Sequence, residues 1–157
     1  FTESWNKATF AAAGIDTEFV QDNHSLSARG TLRGLHFQTE PGQAKLIRCT
    51  RGRIFDVAVD IRPASPTFGR HHAVELTPED CAMYYIPVGF AHGFLVLSEE
   101  AEVQYKCSAA YDAKTEAGLA WDDPDLCIPW PLAAVGGAPL LSERDKDNPS
   151  FAAWRGR

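Results

Sequence analysis

The stretch Ile54-Phe55-Asp56-Val57-Ala58-Val59-Asp60-Ile61 is the clearest strand in this sequence and decides the class of fold. Its short apolar run, which follows the expected turn Arg51-Gly52-Arg53, predicts a strand. Asp56 and Asp60 share one face of that strand because strand side chains alternate. If this face is the interior, both carboxylates need hydrogen-bonding partners. The glycine-containing turn also predicts a hairpin that pairs Ile54–Ile61 with Leu46–Thr50.

Short apolar runs separated by proline and glycine continue on both sides of this strand. Two short helices are expected, within residues 1–13 and at Ser142–Asp147, and the chain beyond Trp121 is expected to be irregular. Seven or more short strands indicate an all-β sandwich or barrel. The length of 157 residues fits a single domain, 1–157. The further strands are predicted at Thr31–Gln38, Lys45–Thr50, His71–Leu76, Met83–Ile86, Gly93–Leu97 and Ala101–Ser108.

Composition and charge exclude several classes of protein. The net charge of -6 argues against a nucleic-acid partner, which requires a basic surface. No apolar run reaches the roughly 20 residues of a membrane-spanning helix. No secretory leader is visible, so a cytoplasmic location is expected. The four cysteines, at positions 49, 81, 107 and 127, form no C-x-x-C pair and are expected to be reduced and buried.

The segment Leu32-Arg33-Gly34-Leu35-His36-Phe37-Gln38 carries the strongest chemical signal. Strict alternation would send Arg33 and His36 to opposite faces of the strand. A β-bulge at Gly34 would bring both to one face, and glycine inside a strand often marks a bulge. A core histidine beside a surface arginine is the alternative, but the flanking pattern favours a functional pair.

His92 and Tyr105 are weaker candidates. His92 follows a proline- and glycine-containing turn and has small neighbours that would let a ligand approach, although a turn histidine bonded to the backbone fits equally well. Tyr105 shares a face with apolar residues and is usually core in such a position, but a buried phenol near a base can act as an acid. The adjacent His71 and His72 point to opposite faces, so they are not expected to chelate one metal ion.

Several of these segments recur, in the same order, in one known family. Taken together they resemble the dTDP-4-dehydrorhamnose 3,5-epimerases, and the resemblance extends from Phe1 to about Asp145. It implies an all-β, cupin-type jelly-roll β-barrel with short peripheral helices. The matching segments are Phe19–Ser25, Leu32–Gln38, Phe55–Ile61, Ser65–Gly69, Ile86–Leu97 and Trp121–Pro124.

The resemblance also implies roles for single residues. His36 corresponds to the catalytic base, Tyr105 to the acid, and Lys45 to the lysine near the keto oxygen of the substrate. Asp145 corresponds to the partner that orients the base, although from its local sequence a solvated helix start is the better explanation. The implied substrate-binding positions are Glu3, Gln21, Asn23, Arg33, His92, Tyr111, Glu116 and Arg144.

The implied reaction is inversion of C3 and C5 of a dTDP-4-keto-6-deoxyhexose through an enolate, in dTDP-L-rhamnose-type biosynthesis. This chemistry requires neither a redox cofactor nor a metal. Metal-binding cupins usually offer H-x-H, whereas Gln38 stands two residues after His36. The resemblance further implies a homodimer in which strands are exchanged.

The sequence departs from the family at three points and leaves alternatives open. Family members carry about two more strands before the position of Phe1, with a substrate-binding arginine that has no counterpart here. They have lysine at the position of Arg144 and often an aromatic residue at that of Ala110. An epimerase acting at C3 or C5 alone, a sugar-nucleotide ketoisomerase, a metal-binding cupin and a non-catalytic sugar-binding barrel remain alternatives. Tyr105 argues against the ketoisomerase, which would not need it.

Overall fold

Two antiparallel sheets form the body of the protein in the computed structural model, which describes residues 1–155. The four-stranded sheet has the order β1-β8-β3-β6 and the five-stranded sheet the order β5-β4-β7-β2-β9. The all-β prediction is confirmed. The strands are β1 (Gln21–Ala28), β2 (Leu32–Gln38), β3 (Lys45–Arg51), β4 (Ile54–Asp60), β5 (His71–Leu76), β6 (Tyr84–Ile86), β7 (Phe90–Val96), β8 (Glu100–Cys107) and β9 (Glu116–Gly118).

Short helices lie at the periphery, as predicted. The first, α1 (Lys7–Ala12), occupies only part of residues 1–13 because Asn6 caps it, accepting hydrogen bonds from the Ala8 and Thr9 amides. The C-terminal part contains a 3₁₀ helix (Leu132–Val135), α2 (Glu143–Lys146) and α3 (Phe151–Arg155). The helix predicted at Ser142–Asp147 is therefore confirmed as α2, with Ser142 as its N-cap.

Apolar residues cover both faces of the five-stranded sheet, which explains the nearly continuous burial of β4. One cluster lies between the two sheets and includes Ile54 of β4 and Val103 of β8. The other lies on the opposite face and includes Val57 together with Trp130 and Phe151 of the C-terminal segment. Each fully buried aliphatic side chain of this kind contributes about 1.5–3 kcal/mol. The irregular C-terminal segment is thus part of the core.

The predicted hairpin between Leu46–Thr50 and Ile54–Ile61 is wrong. β3 pairs with β6 and β8, whereas β4 pairs with β5 and β7 in the other sheet. The turn at Gly52 carries the chain from one sheet to the other, and β3 is already irregular between Cys49 and Arg51. β4 instead forms its sheet with the next strand along the chain, β5, and with β7.

The two inward carboxylates of β4 have the partners that their burial requires. Asp60, which is 1% exposed, accepts from Arg62 Nε at 2.9 Å, from Ser65 Oγ at 2.5 Å and from Thr67 Oγ1 at 2.6 Å. Hydrogen bonds from Arg62, opposed by burial, hold the pKa of Asp60 far below its usual range. Asp56 is bound by His92. Both expectations are confirmed.

The cysteine prediction is partly wrong. All four thiols are free, but only Cys49 and Cys107 are buried, whereas Cys81 and Cys127 are exposed. The two exposed cysteines lie in turns with positive φ, 53° and 46°, and not in strands. The exposure of these two thiols follows from their positions outside the strands, which the number and spacing of the cysteines do not reveal.

None of the helices within residues 1–155 has the length and hydropathy that crossing a membrane requires.

Candidate active site

A cavity of about 340 Å³ opens between the strands and gathers most of the predicted site residues. Side chains of β1, β2, β3, β7 and β8 form most of its wall. Of the twelve predicted residues, ten line this cavity: Gln21, Asn23, Arg33, His36, Lys45, His92, Tyr105, Tyr111, Glu116 and Arg144.

A β-bulge places Arg33 and His36 on the same wall. Arg33 pairs with Phe94 and His36 with His92, so the register shifts between them. Gly34 has φ of 130°, and a Cβ there would lie 2.6 Å from the Gly93 Cα atom. Only glycine allows this approach of β2 to β7. The predicted bulge is confirmed.

His36 and Asp145 form a hydrogen-bonded pair. His36 Nε2 lies 2.5 Å from Asp145 Oδ1, although the two residues are 109 positions apart in the sequence. Asp145 is 3% exposed, held at the start of α2 where its amide donates to Ser142 Oγ at 3.2 Å. Burial acts to raise the pKa of Asp145, but hydrogen bonds from His36 and Ser142 outweigh it and lower that pKa. An ionised carboxylate only accepts, so Nε2 carries a proton, and in the neutral form of the ring Nδ1 keeps its lone pair.

Arg144 and Glu116 close one side of the cavity. Arg144 Nη1 donates to Glu116 Oε2, which also accepts from the Tyr111 hydroxyl at 2.7 Å. Arg144 Nη2 lies 3.2 Å from His36 Nε2. Because that nitrogen donates to Asp145, it cannot also accept from the guanidinium. Glu116 is therefore the partner that holds Arg144.

A second imidazole–carboxylate pair, His92 and Asp56, lies beside the first. His92 Nε2 contacts both Asp56 oxygens, at 2.9 and 3.1 Å, and Asp56 is fully buried. Burial lowers the pKa of His92, opposed by the Asp56 charge. The ring is therefore neutral near pH 7, donates through Nε2, and can accept a ligand hydroxyl through Nδ1.

Burial shifts the pKa values of Lys45 and Tyr105, the two remaining candidate catalytic groups. Burial lowers the pKa of Lys45, which is 8% exposed, while Cys107, Asp56 and Glu116 act against that change. Burial raises the pKa of the Tyr105 phenol, and the Arg33 charge opposes this. Lys45 thus gives up a proton more readily than an exposed lysine, and Tyr105 stays protonated at neutral pH.

Two predicted residues lie outside the cavity wall. Asp145 stands behind His36. Glu3 is exposed on the N-terminal segment, and its neighbour Ser4 lines a separate cavity of about 250 Å³.

Several wall residues were not predicted. Gln38, two positions after His36 on β2, donates to Thr115 Oγ1 at 2.5 Å and holds the loop that carries Tyr111. Ser25 follows Asn23 on the same face of β1 and also lines the wall. The spacing of two residues from Asn23 could have identified Ser25, because alternate strand residues share a face. β1 itself is hard to recognise as a strand, because neither of its faces is continuously apolar.

The histidines outside the cavity have separate partners. His71 Nδ1 lies 3.0 Å from the Leu126 carbonyl oxygen, and His72 Nδ1 lies 3.0 Å from the Tyr84 hydroxyl. Within residues 1–155, no group of three or more histidine, cysteine or acidic side chains is arranged to hold a metal ion.

Comparison with known proteins decides the family. A family model described as dTDP-4-dehydrorhamnose 3,5-epimerase matches residues 1–153. The chain belongs to the dTDP-4-dehydrorhamnose 3,5-epimerase family. It is 51% identical over 153 residues to the dTDP-4-dehydrorhamnose 3,5-epimerase of Pseudomonas aeruginosa, covering 97% of this chain and 83% of that relative. It is 50% identical over 147 residues to the enzyme of the same name from Methanothermobacter thermautotrophicus, covering 94% and 79%.

Solved structures of this epimerase family share the fold. The dTDP-6-deoxy-D-glucose-3,5-epimerase of Legionella pneumophila, in complex with dTDP-4-keto-L-rhamnose, superposes with a TM-score of 0.92. That protein is 43% identical to this chain, and the match covers 97% of this chain and 80% of the other. The predicted cupin-type jelly roll is confirmed.

Proposed function

We propose that this epimerase-family chain inverts C3 and C5 of a dTDP-4-keto-6-deoxyhexose by proton transfer, in dTDP-L-rhamnose-type biosynthesis. One observation carries the proposal: the His36–Asp145 pair, Tyr105 and Lys45 converge on one cavity of the size that small-molecule sites have. A base, an acid and a cation are the three groups that an enolate mechanism needs.

His36 is the proposed base. The 4-keto group acidifies the neighbouring C–H bonds, and Nδ1 of His36 has the free lone pair that can accept such a proton. The imidazolium that forms is stabilised through Nε2 by the buried Asp145 carboxylate, 2.5 Å away. General bases of this kind typically contribute about 10²–10⁴-fold to the rate.

Lys45 is the proposed stabiliser of the enolate oxygen. Its ammonium is buried in the cavity wall, where a charge interacts more strongly with a developing oxyanion than it would in water. The lowered pKa of Lys45 also makes a shared or transferred proton on that oxygen less costly.

Tyr105 is the proposed acid. It must return a proton to the carbon from the face opposite His36, which inverts the centre. A phenol whose pKa is raised by burial is protonated at neutral pH, so its proton is present for transfer to the strongly basic carbon of the enolate.

The remaining wall residues are proposed to bind the nucleotide sugar. Arg33 can bind the diphosphate, since a guanidinium matches phosphate oxygens bidentately. His92 can accept a sugar hydroxyl, and the ring of Tyr111, which is 54% exposed, is available to the base. Gln21, Asn23, Glu116 and Arg144 supply further polar contacts. A cytoplasmic location remains part of this proposal.

A homodimer completes the proposal. β1 is an edge strand of its sheet, and Val20 and Leu26 beside and within it are 60% and 58% exposed. An exposed edge of this kind is suited to pairing with another chain. Glu3, which lies outside the cavity of its own chain, would then serve the partner's cavity. Light scattering measures the mass, and a mixture of Glu3→Ala and His36→Ala chains should recover activity that neither variant has alone.

Solvent exchange tests the reaction. We expect each product molecule formed in D₂O to gain deuterium at two carbons, C3 and C5. Gain at one carbon would instead support an epimerase of a single centre. We expect His36→Ala to lose this exchange by about 10²–10⁴-fold while it still binds dTDP. Exchange at the wild-type rate in that variant would refute the assignment of the base.

A further inference from the structure

Arg33 is held in place without losing its charge. Its Nε and Nη2 atoms lie 3.1 and 2.9 Å from Ser27 Oγ, and both donate to that oxygen. Ser27 is on β1 and is 6% exposed. Within residues 1–155, no carboxylate forms an ion pair with Arg33. The guanidinium is therefore oriented by a neutral acceptor alone.

Two other arginines of this chain are held by carboxylates. Arg144, on the same cavity, is paired with Glu116, and Arg62 is paired with Asp60 at 2.7 Å. An arginine bound to a carboxylate must share its positive charge or break that pair before it binds an anion. A hydroxyl acceptor fixes the plane of the guanidinium and leaves its full charge for a ligand.

The geometry also leaves the correct edge of Arg33 free. Arginine has five N–H donors, and Ser27 engages one at Nε and one at Nη2. The remaining donors, on Nη1 and Nη2, form the fork that binds phosphate oxygens. Ser27 itself pairs with the fully buried Ala101 across β1 and β8.

We propose that Ser27 is a positioning residue that presents Arg33 to the diphosphate of the nucleotide sugar. This inference rests on the proposed function, because the diphosphate is the part of that substrate that Arg33 would bind. Ser27 does not line the cavity, so it acts through Arg33 and not by touching the ligand.

Calorimetric titration with dTDP tests the role of the hydroxyl. We expect Ser27→Ala to weaken dTDP binding by about 5–20-fold, which lies at the lower end of the about 10–150-fold that a hydrogen bond to a charged group is worth, because Ser27 acts only through Arg33. Ser27→Thr, which keeps the acceptor, should bind within about threefold of wild type. Ser27→Cys replaces the hydroxyl with a poor acceptor of similar size, and we expect it to lose the same factor of about 5–20 in dTDP affinity. This second variant provides the test if Ser27→Ala fails to fold. With substrate, KM should rise while kcat at saturation stays within about twofold.

A double-mutant cycle separates positioning from a general structural effect. In an Arg33→Gln background, replacement of Ser27 should change the Kd for dTDP by less than about twofold, because no guanidinium remains to be oriented. Gln104→Ala is the matched control. Gln104 accepts from Arg48 Nε and Nη2 at 3.2 and 2.7 Å, in the same bidentate manner but outside this cavity. Its loss should leave dTDP binding unchanged.

Three results would overturn the proposal: unchanged dTDP binding in both Ser27→Ala and Ser27→Cys, an equal loss in the Arg33→Gln background, or a wild-type protein that does not bind dTDP. Failure of the proposed function gives a different combination of results from failure of the positioning role. In that case the wild-type protein binds dTDP, and the cycle is coupled, but no deuterium enters the sugar.

Discussion

Replacement of Asp145 by asparagine removes the charge behind the base and preserves its shape. Asp145 is 3% exposed and lies 2.5 Å from His36 Nε2, so no water replaces the lost interaction. A hydrogen bond to a charged group is worth about 1.5–3 kcal/mol, which corresponds to about 10–150-fold in rate. The asparagine amide can also donate to Nε2 and force the proton onto Nδ1, which removes the lone pair of the base. A tautomer error of this kind costs up to about 10⁴-fold.

We therefore expect Asp145→Asn to lower kcat by about 10²–10⁴-fold and to leave the dTDP affinity within about threefold, because Asp145 does not line the cavity. Deuterium incorporation followed by NMR at saturating substrate measures the first quantity, and calorimetric titration measures the second. A folded variant that retains more than about a third of the wild-type kcat would refute the role of Asp145 as the orienting partner.

Asp123→Asn is the control for loss of a buried carboxylate elsewhere. Asp123 is 4% exposed and accepts from the backbone amides of Asp125, Leu126 and Phe151, away from the cavity. We expect it to lower the melting temperature while kcat stays within about twofold. A similar loss of kcat in both variants would mean that destabilisation, and not the dyad, explains the effect.

The remaining predictions concern Tyr105 as the acid, the buried carboxylate of Asp60 and the β-bulge at Gly34. Tyr105→Phe should slow formation of the inverted product by about 10²–10⁴-fold, while His36 still exchanges the substrate proton with D₂O; product formed at the wild-type rate would exclude Tyr105 as the acid. Asp60→Ala should lower the free energy of unfolding by about 2–4 kcal/mol at pH 7, measured by urea titration. Because the folded-state pKa of Asp60 is depressed, its stabilisation is present above the unfolded value near 4 and is lost as the pH falls below it, so the gap between wild type and variant should narrow in acid. Gly34→Ala should destabilise the protein by more than about 2 kcal/mol and displace the base, whereas Gly14→Ala, which also has positive φ but no atom within 4 Å of an added Cβ, should show only the backbone cost of about 1 kcal/mol. Equal effects of the two glycine variants would contradict the close approach of β2 and β7.

Local patterns account for most of the strands and for one critical irregularity. The alternation and the glycine of Leu32–Gln38 are sufficient to predict the bulge, because only glycine permits two backbones to approach so closely at positive φ. β1 was not predicted as a separate strand because its inward residues, Gln21, Asn23, Ser25 and Ser27, are all polar and show no apolar periodicity. A strand that lines a polar cavity does not have the hydrophobic signature of a strand that covers a core.

The sequence by itself determined the all-β class, the positions of most of the strands and the family, because each of these depends on short motifs and on their order along the chain. The tertiary structure decided which strands are neighbours and which side chains meet. Sequence proximity favoured a β3–β4 hairpin, but the two strands lie in different sheets. Asp145 reads locally as a solvated helix residue, and only the packing of α2 against β2 places it on His36, 109 positions away. The physical reason is that a strand or a helix turn depends on neighbouring residues, whereas partners across layers are chosen by the burial of whole faces, which no local pattern contains.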